Sequence, residues 1–121
     1  MKPSWNPFNA GLRGLRAKYQ VNELIEGKRL WFISGSVEDG NFGALYQCSL
    51  NVLVGDKGLM FADSFWLPRF LVTQILVPWQ NMSTQFLHAE SFEFDVDGVE
   101  IDLFGKRIAD AVRTHSPFLA Q

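Results

Sequence analysis

Residues 92–103 read Phe-Glu-Phe-Asp-Val-Asp-Gly-Val-Glu-Ile-Asp-Leu. Apolar and acidic side chains alternate on both sides of Asp97-Gly98. Period-two alternation is the signature of a strand with one buried face. Asp-Gly is a favoured two-residue hairpin turn, because both positions need positive φ. This segment therefore commits the chain to an antiparallel sheet. It also fixes a register. Val96 faces Val99, Asp95 faces Glu100, Phe94 faces Ile101 and Glu93 faces Asp102. Two like-charge pairs then sit opposite one another on one face, which is mildly destabilising. Either solvent screens them or something basic covers them. A calcium loop is a poor alternative: Asp95-Val96-Asp97-Gly98 puts glycine fourth, where an EF-hand needs it sixth.

The rest of the chain extends this pattern. Leu30-Trp31-Phe32-Ile33 is a β-rich run, and residues 34–44 have loop composition. Tyr46, Cys48, Leu50, Val52 and Val54 alternate with polar residues. Gly55-Asp56-Lys57-Gly58 then turns into Leu59–Ala62, a second hairpin. Residues 64–71 form an apolar connector broken by Pro68. Val72 to Trp79 reads as a strand whose Pro78 end belongs at an edge or bulge, since proline cannot donate to a ladder. Residues 84–88 are a weaker strand. Residues 105–114 read as a helix, with Ile108, Ala111 and Val112 on one side, Arg113 and His115 near its end and Pro117 after it. Near the N-terminus, Phe8, Leu12, Leu15 and Tyr19 mark one face of a helix over 8–20.

The net charge of −2 conceals a polarity. Residues 1–29 carry +4 and residues 30–121 carry −6. A basic amphipathic helix can lie on an anionic membrane. It can equally dock its apolar stripe on its own domain, as short surface helices do. In the second case Arg13, Arg16 and Lys18 are expected to approach Glu93, Asp95, Glu100 and Asp102, within the chain or across a dimer.

This order of elements resembles the pleckstrin-homology-like superfold shared with GRAM domains, and in particular small bacterial proteins of unknown function with that fold. The residues that carry the resemblance are the strand-turn-strand Leu45–Phe61 with its Gly58-Leu59 step, the apolar connector before Ile75-Leu76-Val77-Pro78-Trp79, and the Val99–Leu103 strand running into a helix. The likeness covers residues 28–114. It implies an α+β fold: a partly open antiparallel β-barrel with a C-terminal capping helix, over residues 28–116, preceded by a helical extension over 1–27. It brings no catalytic residues. Phosphoinositide-binding members place Lys and Arg around the first hairpin loop, whereas residues 34–44 carry Glu38 and Asp39 and no base, so headgroup binding there is not expected.

Catalytic signals are weak. Cys48 falls on the apolar face of its strand and reads as a buried, inert thiol. His88 and His115 have no ligand-spaced partners, so neither metal nor cofactor is expected. Gly11-Leu-Arg-Gly14 lacks the elements that flank a KH clamp, and the chain is acidic, so nucleic acid is not an expected partner. One cysteine and no signal-like leader fit a cytoplasmic setting. The expected function is non-catalytic binding to a protein or peptide, or self-association as a homo-oligomer. Phe65, Trp66, Leu67, Arg69 and Phe70 in the connector form the candidate contact surface, unless that connector completes the core. The alternative is a membrane-surface module using Lys2, Arg13, Arg16, Lys18 and the same connector. A third reading is a small-ligand cone or enzyme with a pocket at Tyr46, Cys48, Trp79 and His88.

Overall fold

The computed structural model describes residues 15–16, 18–21, 25–38, 43–62 and 74–116. Among them are seven strands: β1 (Lys28–Glu38), β2 (Gly43–Gly55), β3 (Gly58–Ala62), β4 (Gln74–Pro78), β5 (Thr84–Leu87), β6 (Ser91–Val96) and β7 (Val99–Phe104). A 3-10 turn, Trp79–Asn81, joins β4 to β5, and a C-terminal helix spans Lys106–His115. The strands form one sheet in the order β4-β3-β2-β1-β7-β6-β5, with every pairing antiparallel.

The sheet curls into a half-barrel. Phe61 on β3 and Phe94 on β6 stack with ring centroids 6.5 Å apart. Four strand spacings in a flat sheet would separate them by about 19 Å. The pairing irregularities fall in β1. Its pairing with β2 slips between Leu30 and Ile33 and again between Ile33 and Gly35. Such bulges bend and twist a strand. Inside the curl lie Leu50, Val52, Val54, Leu59, Ile75, Phe92, Ile101 and Leu103. Ile108, Ala111 and Val112 of the helix close over the same core. Trp79 is buried among them, edge-on to Phe92, and its indole N–H donates to the Gly55 carbonyl at 2.9 Å.

The 92–103 hairpin has the register read from its sequence, from Val96↔Val99 to Phe92↔Leu103. Asp97 and Gly98 both have positive φ, +51° and +82°, as a type I′ turn requires. Pro78 ends β4 at the edge of the sheet. Two expectations change. Gly35–Glu38 is strand rather than loop. β1 continues there because it gains a second partner, pairing with β7 from Ser34↔Phe104 to Glu38↔Glu100. Glycine at position 35 permits that approach, since a Cβ would stand 2.7 Å from the Asp102 carbonyl oxygen. Trp79 is not in the strand but opens the 3-10 turn behind it.

A second small core lies outside the curl. Leu53, Met60 and Ala62 pack there under Val21, Ile25, Trp31 and Leu76. Val21 and Ile25 of this cover come from the segment before β1, Trp31 from β1 and Leu76 from β4. Leu15, Arg16, Lys18 and Tyr19 are helical, and Leu15 and Tyr19 are buried in the main core. Gln20 bridges to Ile75, and the Val21 amide donates to the Gln74 carbonyl at 2.9 Å. Among the described residues, the stretch around Gln20 and Val21 thus docks on the β4 edge. Phe8, Leu12 and the Cys48 side chain lie outside the described residues. No helix among the described residues is long and apolar enough to cross a membrane.

Candidate interaction face

The outer face of β1, β7, β6 and β5 is built in rows that the register dictates. One row is Thr84, Asp95, Glu100 and Glu38; the next is Phe86, Glu93, Asp102 and Ser36, continued by Leu45 on β2. A third is Ser91, Phe104 and Ser34. The inward partners along each strand are core residues, so these side chains are left on the solvent side. The first two rows, Leu45 apart, line a groove of about 320 Å³ containing five carboxylates (Glu38, Glu93, Asp95, Glu100 and Asp102) and, among the described residues, no Lys or Arg.

The carboxylates are not equivalent. Asp102 is half-buried and its Oδ1 has no hydrogen-bond partner. Burial, and after it the Glu93 charge, hold its carboxyl above the ordinary Asp value, with His88 partly offsetting them. Glu93 meets the His88 imidazole at 2.7 Å. The acids are spread along strands rather than converging. Among the described residues no group of three His, Cys, Asp or Glu is placed to hold a metal ion.

The same face carries apolar groups. The large hydrophobic side chains exposed among the described residues are Phe32 (67 %), Leu45 (65 %), Phe86 (56 %) and Phe104 (39 %). Leu45, Phe86 and Phe104 sit in the rows just described. Phe32 stands in the β1 bulge at the end of that face, with φ +59°, a conformation bulky residues rarely adopt. Its ring lies 6.5 Å from that of Trp31. Arg107 reaches this end, donating from Nη2 to the Trp31 carbonyl at 3.0 Å.

The residues singled out from sequence fall in different places. Glu93, Asp95, Glu100 and Asp102 come together in the groove. Lys18 does not reach them; it pairs with Asp97 at the hairpin tip, at 3.1 Å. Tyr19 Oη donates to the same carboxylate at 2.8 Å, and Asn81 Nδ2 donates to Tyr19 Oη at 3.2 Å. Arg16 is half-buried on the helical turn. Lys2, Arg13 and the connector residues Phe65, Trp66, Leu67, Arg69 and Phe70 lie outside the described residues. Tyr46 and Trp79 are buried in the core, while His88 is exposed beside Glu93. Sequence reasoning missed Leu45, Phe86 and Phe104. Carrying the Glu100/Asp102 alternation one step further would have placed Phe104 on the acidic face.

No protein-family model, curated protein or solved structure matches this chain.

Proposed function

We propose that the chain is a pleckstrin-homology-like barrel that works as a non-catalytic interaction module, with the outer face of β1, β7, β6 and β5 as its contact surface. One sheet, curled and closed by a C-terminal helix, is the architecture that resemblance implies. The observation that carries the functional reading is the coincidence on one face of exposed Leu45, Phe86 and Phe104 with five closely spaced carboxylates. Exposed apolar groups rimmed by polar ones mark contact sites on soluble domains. Like charges at close spacing cost stability that a cationic partner returns. An anionic bilayer is a poor occupant for the same reason. Trp79 and Tyr46 are themselves buried in the core, which favours a packing role over lining a ligand pocket.

Hydroxyl-radical footprinting tests the reading. Phe86, Leu45 and Phe104 in dilute purified protein should be oxidised freely. In extract of the native cell they should be protected relative to exposed residues elsewhere, such as Arg113 and Asp56. Equal labelling in both settings would overturn it.

A further inference from the structure

We infer that the occupant of this face is a second copy of the chain, packed face to face about a twofold axis that runs across the strands. This rests on the face being a contact surface, and it names the partner.

The argument starts from how the face is polarised along its strands. At one end lies the acidic row of Asp95, Glu100 and Glu38. Two residues on come Glu93, Asp102 and Ser36, and two further Ser91, Phe104 and Ser34. Beyond Ser34 stand the Phe32 bulge and the Arg107 guanidinium on the Trp31 carbonyl, with exposed Lys106 next to it. One end is anionic; the other is aromatic and carries two cations, Lys106 and Arg107, against one exposed acid, Glu90, whose carbonyl accepts from the Gly105 amide. Four residues of strand, about 13 Å, separate Glu100 from Phe104.

Only some symmetries use that polarity. In a homodimer the same patch serves both subunits. A twofold axis running along the strands would lay the acidic row on its own copy, and repulsion forbids it. An axis running across the strands reverses their direction. Placed between the Asp102 and Phe104 levels, it sets the acidic row of each copy over the Phe32 and Arg107 end of the other. It also sets Glu93 over the partner copy's Ser91 on the same strand, whose hydroxyl can donate to a carboxylate. The twist of a sheet makes such a surface match its own twofold image, which is why aligned sheets pack about 10 Å apart at a small angle. The serines in the central rows are small enough for close approach.

The extent is modest. The four strands span about 19 Å and six residues about 20 Å. That footprint falls short of the roughly 800 Å² per partner found in stable complexes and lies in the range of weak, reversible contacts. A dimer with a dissociation constant in the micromolar range is the expectation.

Analytical ultracentrifugation of the full chain over a concentration series tests this. The expected result is reversible association to twice the 13.8 kDa chain mass, and no further. Glu100→Arg and Arg107→Glu should each weaken it about tenfold or more. The double variant, with both charges exchanged, should recover most of the loss, which damage to folding would not do. Phe104→Asp should weaken it as well, with circular dichroism and melting checked for each variant. A chain that stays monomeric at hundreds of micromolar, or single variants that associate like the parent, would overturn the inference. If the chain is monomeric but its face is protected in cell extract, the contact surface stands and the second copy does not. If neither is seen, both readings fail.

Discussion

The Tyr19 hydroxyl donates to the Asp97 carboxylate at 2.8 Å, linking residues 78 positions apart in sequence. Asp97 already fills the first turn position of the hairpin, at φ +51°. One residue thus turns the hairpin and anchors the stretch that docks on the β4 edge. The Tyr19 hydrogen bond, and then the one from Lys18, hold its carboxyl below the ordinary value of 3.8, while Asp97 raises Lys18 above 10.5.

The first prediction concerns this anchor. A lowered carboxyl contributes above its unfolded pKa and loses that contribution as pH falls through the folded value. A raised ammonium contributes below 10.5 and loses it as pH rises past its folded value. The contact is therefore whole between those limits and fails at either extreme. Tyr19→Phe keeps the ring and removes the donor. Hydrogen exchange at the Val21 amide should speed up in the variant near neutral pH, and the difference from the parent should shrink in strong acid. Unchanged Val21 protection would show that the bond anchors nothing.

Asp102 has the opposite sign. Its folded carboxyl titrates above its unfolded value of 3.8, so the protonated form favours the fold. That contribution is complete below 3.8 and is lost as pH rises through the folded value. Asp102→Asn removes the charge and its repulsion from Glu93. In dilute solution at pH 7–8 it should raise the melting temperature by a few degrees, for a gain of up to about 1 kcal/mol. Near pH 3 the two proteins should melt alike. A variant less stable than the parent at every pH would count against this account of the carboxyl.

Trp79 joins the 3-10 turn to the second hairpin through Gly55. Trp79→Phe fills most of the same volume but leaves the Gly55 carbonyl without that donor. The expected cost is about 1–3 kcal/mol, read from denaturant unfolding. A loss within error of zero would mean that water replaces the indole.

Gly58 has φ +153°, and a Cβ there would overlap the Val77 carbonyl oxygen on β4. Gly58→Ala must move backbone on one strand or the other. It should destabilise by more than about 1 kcal/mol and raise exchange along the β3–β4 ladder ahead of β6–β7. Uniform loss across both ladders would place the strain elsewhere.

Local pattern was legible where one residue type decides a local geometry. Asp97-Gly98 set a turn, the turn set a register, and the register told which acids face each other. The course of β1 past Gly35 was not legible, because its partner Leu103 lies far along the chain and glycine there reads as loop. Lys18 finding Asp97 rather than the groove acids was likewise hidden, since it depends on how the sheet curls. The apolar half of the face escaped for a related reason. Phe86, Phe104 and Leu45 belong to three strands separated in sequence, and only their pairing through β6, β7 and β1 sets them on one side.

β1 is the strand that hydrogen-bonds the β2–β4 half of the sheet to the β5–β7 half. Gly35 pairs with Leu103, so this seam is closed only by β7, which is made after the other described strands. Until then a nascent chain has β2, β3 and β4 available but one side of β1 unpaired, an open edge of the kind that recruits strands from other molecules. Non-local closure of this kind also slows folding. Synthesis order therefore makes the second half of the molecule a cover for the first, and a chain truncated before β7 should reach the cell as an aggregation hazard rather than a smaller domain.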